Sequence, residues 1–181
     1  NFTAGAPSRQ SLAEFSDPNP TDAEASFTAT VDWGDGTSGA AIVLGPPGGP
    51  FSVNGEHTYS RAGTYPLVLH VVEVDGAEIT LPGNAIVAPA SLTADATFSS
   101  DVESGQSFSG PVARFRDGNP LSSSSDYTAV IDWGDGSQTA GAVSGPTGGP
   151  YTVAGSHTYA TTQPFTVTVT LTGPAGASAS A

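Results

Sequence analysis

Apolar and polar residues alternate with a period of two over several short stretches of this chain. Phe27, Ala29, Val31 and Trp33 are separated by Thr28, Thr30 and Asp32, and Tyr127, Ala129, Ile131 and Trp133 repeat that face further on. Such alternation sends one row of side chains into a core and the other into water, as a half-buried β-strand requires. Phe165, Val167, Val169 and Leu171 alternate with Thr166, Thr168, Thr170 and Thr172, which predicts a strand across that stretch. Leu92, Ala94, Ala96 and Phe98 predict another over Ser91 to Phe98. No stretch shows an apolar stripe at the 3.6-residue helical spacing. Gly- and Pro-rich clusters at 45–50 and 145–150 break the pattern, and short runs from Phe51 to Val53 and Tyr151 to Val153 follow them. Many short strands separated by turn signals predict an all-β fold built as a sandwich.

The chain is also duplicated. At an offset of 100 residues, 24 of the 47 positions from Ala13 to Tyr59 are identical without a gap, which is the mark of a repeat architecture. Asp32-Trp33-Gly34-Asp35-Gly36 returns as Asp132-Trp133-Gly134-Asp135-Gly136, and His57-Thr58-Tyr59 as His157-Thr158-Tyr159. The phase of the repeat divides the chain into two domains, 1–88 and 89–181. The counterpart of the strand at Ser91 to Phe98 would lie before Asn1, so the first domain is expected to lack its first strand, and the chain to be a segment of a longer repeat or a subunit whose neighbour donates that strand. The tail from Gly173 to Ala181 is small and weakly hydrophobic, a poor last strand for the second domain.

The Trp-Gly-Asp-Gly and His-Thr-Tyr signatures, in the same order and at the same distance in both copies, resemble the PKD domain (polycystic kidney disease repeat). The wider pattern is similar to PKD-like repeats strung along large bacterial surface and secreted proteins. The resemblance implies two tandem immunoglobulin-like β-sandwich domains that serve as spacers, adhesion units or enzyme appendages. The second copy departs from it after Tyr159, where Thr162-Gln163-Pro164-Phe165 replaces Ala62-Gly63-Thr64-Tyr65 and the turn loses its Gly.

The duplicated polar residues are the candidates for chemistry. Trp33 and Trp133 end apolar faces and are expected in the core. Asp32 and Asp132 are expected to point outward beside them, and Asp35-Gly36 and Asp135-Gly136 to form the turn, Asp accepting backbone N–H bonds and Gly taking positive φ. An EF-hand loop needs alternating ligands and a bidentate Glu at its twelfth position, and neither copy has them. No cofactor is therefore expected, with weak structural calcium the alternative. His57 and His157 each lack a partner His, a Cys or a nucleophile-elbow Ser, and each is expected to bond the backbone or the turn Asp of its own copy. Tyr59 and Tyr159 are expected to complete a corner as in immunoglobulin folds. His70 is expected at the surface, and Asp17 with Asp22, and Asp117 with Asp126, as loop caps.

Composition narrows the partners. Lys is absent, and four Arg face seventeen Asp and Glu for a formal net charge of -13, which repels phosphate backbones and anionic membranes. Nucleic-acid partners and membrane insertion are not expected. With no Cys, the domains hold together by packing and sheet hydrogen bonds. The residues thus point to a non-enzymatic extracellular or cell-surface repeat, a spacer, adhesion segment or fibre subunit. Its expected partners are neighbouring copies of the same module, head to tail, and other surface proteins. The competing reading is a polysaccharide-binding module or an accessory domain of a secreted hydrolase.

Overall fold

The computed structural model describes residues 1–97 and 103–181, without the side chains of Ala96 and Thr97. The chain divides into two compact units, Asn1–Ala88 and Pro89–Ala181, and each is an all-β, immunoglobulin-like sandwich. Unit 1 contains β1 (Phe2–Thr3), β2 (Ser8–Phe15), β3 (Phe27–Asp32), β4 (Ser38–Leu44), β5 (Phe51–His57), β6 (Gly63–Glu73) and β7 (Glu78–Ala88). Their order is β1-β7-β6-β3-β4-β5-β2. Strand β4 joins the two sheets. Its first half, Ser38 to Ala41, pairs with β3, and its second half, Ile42 to Leu44, pairs with β5.

Unit 2 repeats this plan with β8 (Leu92–Thr97), β9 (Ser107–Asp117), β10 (Thr128–Asp132), β11 (Gln138–Ser144), β12 (Tyr151–Thr158), β13 (Thr168–Thr172) and β14 (Ser178–Ser180), in the order β14-β13-β10-β11-β12-β9-β8. The units differ at their margins. In unit 2, β8 pairs along β9, whereas among the described residues β2 pairs only with β5. Unit 1 instead opens with β1, laid parallel to β7.

The alternating faces close the cores. Phe27, Ala29, Val31 and Trp33 from β3 and its turn meet Phe51 and Val53 from β5, and Val31, Phe51 and Val53 are 0% exposed. Tyr127, Ala129, Ile131 and Trp133 do the same against Tyr151 and Val153. A β-bulge recurs at equivalent positions, Leu12 in β2 and Val112 in β9. Each bulge presents an extra apolar side chain to the core it borders.

Two expectations need correction. The alternation from Phe165 to Thr172 predicts one strand, yet β13 begins only at Thr168. Strand geometry needs a ladder partner, and among the described residues none lies beside 163–167, whereas β7 accompanies β6 from Gly63 onward. In the stretch from Ser91, Ala94 is exposed rather than inward, where the ladder slips between Ala94 and Ala96. Phe98 lies outside the described residues. The tail does form a last strand, but one of only three residues.

Replacing Trp33 or Trp133 by Ala should cost roughly 3–5 kcal/mol, a large share of what a domain of this size has to lose. Urea denaturation followed unit by unit checks this. A cost under about 1 kcal/mol would mean that the indole does not organise the core.

Candidate functional site

The duplicated motif builds one small assembly in each unit, starting from the turn after β3. The Asp32 carboxylate accepts the Gly34 N–H at 2.9 Å, and Asp35 Oδ1 accepts the Thr37 N–H at 3.1 Å and the Thr37 hydroxyl at 2.6 Å. Gly34 has φ of +75°, and a Cβ there would stand 2.2 Å from the Pro66 carbonyl oxygen, so only Gly lets the turn sit against β6. The turn leaves Trp33 pointing inward and the second Asp35 oxygen pointing at β5.

Strand β5 ends on His57, whose ring lies flat on the Trp33 indole, with centroids 4.8 Å apart and planes 8° apart. Its Nε2 is 2.8 Å from Asp35 Oδ2. Tyr59 presents its ring edge-on to His57 at 4.5 Å and donates its buried hydroxyl to the Trp33 carbonyl at 2.9 Å. Gly55 admits the indole, because a Cβ at that position would come within 2.7 Å of the ring. Unit 2 rebuilds the assembly: Trp133 and His157 stack at 4.9 Å, His157 Nε2 is 2.7 Å from Asp135 Oδ2, and the Tyr159 hydroxyl is 3.1 Å from the Trp133 carbonyl. The Trp133 Nε1–H also donates to the Thr139 hydroxyl at 2.9 Å; Gly39 stands at the matching place in unit 1.

The electrostatics follow from these bonds. Hydrogen bonds from Ser137 and His157 hold the Asp135 carboxyl down at about 2. Burial pushes Asp35 the other way, but Thr37 and His57 outweigh it and its net shift is downward. Burial, aided by the Asp35 charge, pushes the Tyr59 hydroxyl up to about 12. Asp32, Asp35, His57 and Tyr59, and their counterparts Asp132, Asp135, His157 and Tyr159, are thus engaged in holding turn, strand and corner together. His70 lies on the exposed face of β6, where its Nδ1 is 3.0 Å from the Thr80 hydroxyl.

A second cluster was only partly visible in the sequence. Asp17 caps its loop by accepting the Asn19 N–H at 2.6 Å. Asp22, however, lies with Asp17 and Glu73 so that one oxygen of each falls within 4.8 Å of the others. Asp22 Oδ2 is buried and receives no N–H or hydroxyl hydrogen from the described residues. Burial, a hydrogen bond shared with Asp22 and the charges of Asp17, Asp75 and Asp22 push Glu73 up to about 7. This is the group that could hold a divalent cation or share a proton. Glu73 carries no motif, and only the pairing of Phe27 with Glu73 brings it to the loop.

Unit 2 solves the same corner with hydroxyls. Ser122 and Gly173 replace Asp22 and Glu73, and Tyr127 and Tyr151 replace Phe27 and Phe51. The Tyr127 hydroxyl donates to Asp117, and the Ser122 and Tyr151 hydroxyls lie 2.7 Å apart. Asp126 accepts the Ser123 N–H at 2.8 Å as part of a capping box.

Unit 2 also carries a groove of about 430 Å³ where β11 parts from β12, lined by Ser109, Gly110, Thr139, Ala140, Ala142, Ala154, Gly155 and Ser156. Unit 1 has Arg9, Gln10, Ile42, Asn54 and Glu56 at five of these places, with Arg9 and Glu56 bridged at 3.5 Å.

No protein-family model matches the chain, and no curated protein does. Among solved structures it is similar to the Bacteroides ovatus mixed-linkage glucan utilization locus SGBP-B, solved in complex with a mixed-linkage heptasaccharide. The identity is 18% and the TM-score 0.33, over 100% of this chain and 41% of that one. It is also similar to a structure from a study of the promiscuous specificity of carbohydrate-binding modules of the β-sandwich superfamily, at 14% identity and a TM-score of 0.29, over 93% of this chain and 54% of that one. The chain spans less than two thirds of either protein, and likeness at these scores carries no inference about ligand.

The two carboxylates should give opposite pH signatures. Asp135 is depressed from 3.8 to about 2, so it stabilises unit 2 above its unfolded value, and that stability disappears as pH falls through the folded value. Glu73 is raised from 4.5 to about 7, so the folded state keeps a proton that the unfolded chain releases, and unit 1 loses stability as pH rises across that window. Thermal melts from pH 2 to 8 should show Asp135→Asn flattening the acid limb of unit 2, and Glu73→Gln stabilising unit 1 near neutrality. Melting curves of Glu73→Gln parallel to the parent across that range would contradict the shared proton.

Proposed function

We propose that the chain is a segment of a non-enzymatic extracellular or cell-surface protein, a repeat of PKD-like modules that spaces, positions or fastens something else. The observation that carries this reading is the reuse of the Trp-His-Asp-Tyr assembly. It is rebuilt in both units with every distance within a few tenths of an ångström, and its polar atoms bond one another and the backbone instead of facing a cleft. Chemistry that faces inward twice is chemistry of folding. The acidic, Lys-free surface fits an extracellular setting and neighbours that are proteins, with copies of the module itself first among them. Among the described residues no helix is long and apolar enough to cross a membrane. No cofactor enters this reading, and calcium at Asp17, Asp22 and Glu73 is at most a weak structural ion.

The groove of unit 2 supports a second reading, polysaccharide binding. It offers the hydroxyls of Ser109, Thr139 and Ser156 over a floor of small side chains. Against it, both Trp residues are buried, at 2% and 1% exposure, so neither indole gives a sugar ring a surface to stack on.

Affinity electrophoresis through gels containing a panel of soluble glucans, mannans and xylans separates the two readings, run in calcium and again in EDTA. The spacer reading expects unchanged mobility in every gel under both conditions. Retardation that is abolished by Ser109→Arg with Ser156→Glu, which restores the side chains of unit 1 to the groove, would establish the second reading in its place. Retardation only in calcium would give the acidic cluster a working ion.

A further inference from the structure

We propose that the free edge of β4 in unit 1, Ser38 to Ala40, takes an extended polypeptide segment from another protein, one that turns a Ser or Thr inward and carries basic side chains on its outward face. The inference goes beyond the reading of the chain as a spacer, for it names the surface by which unit 1 would fasten a protein partner. It rests on two polar atoms that unit 2 satisfies from its own chain and unit 1 does not.

Unit 2 shows what these atoms require. The Trp133 Nε1–H donates to the Thr139 hydroxyl at 2.9 Å, and the Gln138 amide donates to Asp132 Oδ2, also at 2.9 Å. Unit 1 has Ser38 and Gly39 at those two places. Trp33 is only 2% exposed, yet among the described residues nothing accepts its Nε1–H. Asp32 Oδ1 accepts the Gly34 N–H, and among the described residues no donor reaches its Oδ2. A Cβ at Gly39 would meet only the Trp33 Nε1, at 3.6 Å, so the slot in front of this donor is open. A nearly buried donor left without an acceptor is unfavourable, and the slot therefore favours an oxygen.

The main chain is open at the same place. Strand β4 pairs with β3 over Ser38 to Ala41 and with β5 over Ile42 to Leu44, and among the described residues no strand lies on the other side of Ser38 to Ala40. The Trp33 N–H donates to the Thr37 carbonyl at 3.0 Å. Hydrogen-bonded pairs recur every second residue of an antiparallel ladder, so Gly39 and Ala41 bond β3 next, while Ser38 and Ala40 direct N–H and C=O to the free side. A strand laid along that side sets one residue opposite Gly39 in a non-hydrogen-bonded pair, where facing side chains stand closest. Its side chain turns inward, toward the indole N–H. Unit 2 has the same open edge, but Gln138 and Thr139 already occupy both polar atoms.

The side chains identify the occupant. Thr139 is the molecule's own pattern for the inward residue, a short side chain that ends in a hydroxyl. Gln138 is the pattern for its outward neighbour, a long side chain that reaches the turn carboxylate. A basic group serves there better than an amide, because Asp32 is exposed and the chain carries a net charge of -13. Ser38 is short enough for such a side chain to pass over it. A second copy of this chain, equally acidic and without Lys, is the poorer occupant. Strand addition of this kind draws affinity from main-chain hydrogen bonds and specificity from the side chains.

The test titrates the ¹⁵N-labelled 181-residue protein with the capped peptide Lys-Val-Lys-Thr-Lys-Val-Lys and follows the two indole N–H resonances by NMR. The Trp33 resonance should move saturably and that of Trp133 should stay, while amide exchange at Ser38 and Ala40 slows by roughly tenfold or more. A peptide with Val in place of the Thr keeps the charge and should bind about fivefold more weakly. Gly39→Thr, which gives Trp33 the hydroxyl that Trp133 has, should remove that difference, and Ser38→Gln should weaken both peptides. A Trp33 resonance that stays put at the highest soluble peptide concentration, or equal binding of the two peptides by the parent protein, would overturn the docking edge. That failure leaves the spacer reading standing, since it rests on the buried assembly. A glucan that retards the protein in the gels and moves the Trp33 resonance where the peptide does not would overturn both.

Discussion

The contact on which each sandwich depends is the flat stack of one imidazole on one buried indole, fixed from the side by a carboxylate. Strand β3 brings the indole, strand β5 the imidazole, and the turn after β3 the carboxylate, so a single group ties one sheet to the other. The geometry narrows the choice of residue at the imidazole position. A ring that stacks within 8° of the indole and still offers a nitrogen 2.8 Å from Asp35 must be planar on its faces and polar at its edge. Tyr59 then anchors the same point through the backbone, since the carbonyl it bonds is that of Trp33 itself. Because the Trp, His and Tyr rings touch in pairs, the loss of one would loosen the packing of the others.

The parts of this arrangement that lie close in sequence were legible there. Alternation over Phe27 to Trp33 is enough to place the indole inward, and Asp-Gly after it is enough to place a turn. The direction of the imidazole was narrowed to the backbone or the turn Asp, and the structure selects the Asp. What could not be read depends on partners distant in the chain. Glu73 sits at the end of a strand with nothing local to mark it, and it joins Asp17 and Asp22 only because β6 pairs with β3. Phe165 and Val167 alternate as a strand should, but alternation reports which side is buried, whereas strand geometry also needs a neighbour to bond. A core position has been exchanged as well. Phe2 packs edge-on against Trp33 at 6.2 Å in unit 1, and Phe108, whose repeat counterpart is Ser8, packs against Trp133 at 5.9 Å in unit 2.

Comparison of the two copies separates what the fold requires from what it tolerates. The Trp-His-Asp-Tyr contacts are kept in both copies. The corner beneath them differs between the copies, with three carboxylates in unit 1 and hydroxyls around the single carboxylate of Asp117 in unit 2. The hydroxyl version keeps one carboxylate, Asp117, which accepts from the Tyr127 hydroxyl, while the Ser122 and Tyr151 hydroxyls bond each other. The carboxylate version gathers one oxygen each of Asp17, Asp22 and Glu73 within 4.8 Å of one another, and their partial burial and mutual repulsion raise the Glu73 carboxyl. The groove of unit 2 reflects the same freedom, for it opens where unit 1 carries larger side chains and unit 2 has Ser, Gly and Ala.

His57 and the turn Asp35 act as one structural device, and a double-mutant cycle tests whether they do. His57→Gln, Asp35→Asn and the double variant would be compared with the parent by denaturant unfolding at neutral pH, with unit 1 followed separately. If the two side chains act through each other, the double variant loses clearly less stability than the sum of the single losses. Strictly additive losses would mean that the imidazole and the carboxylate each serve the fold alone, and that no such device exists.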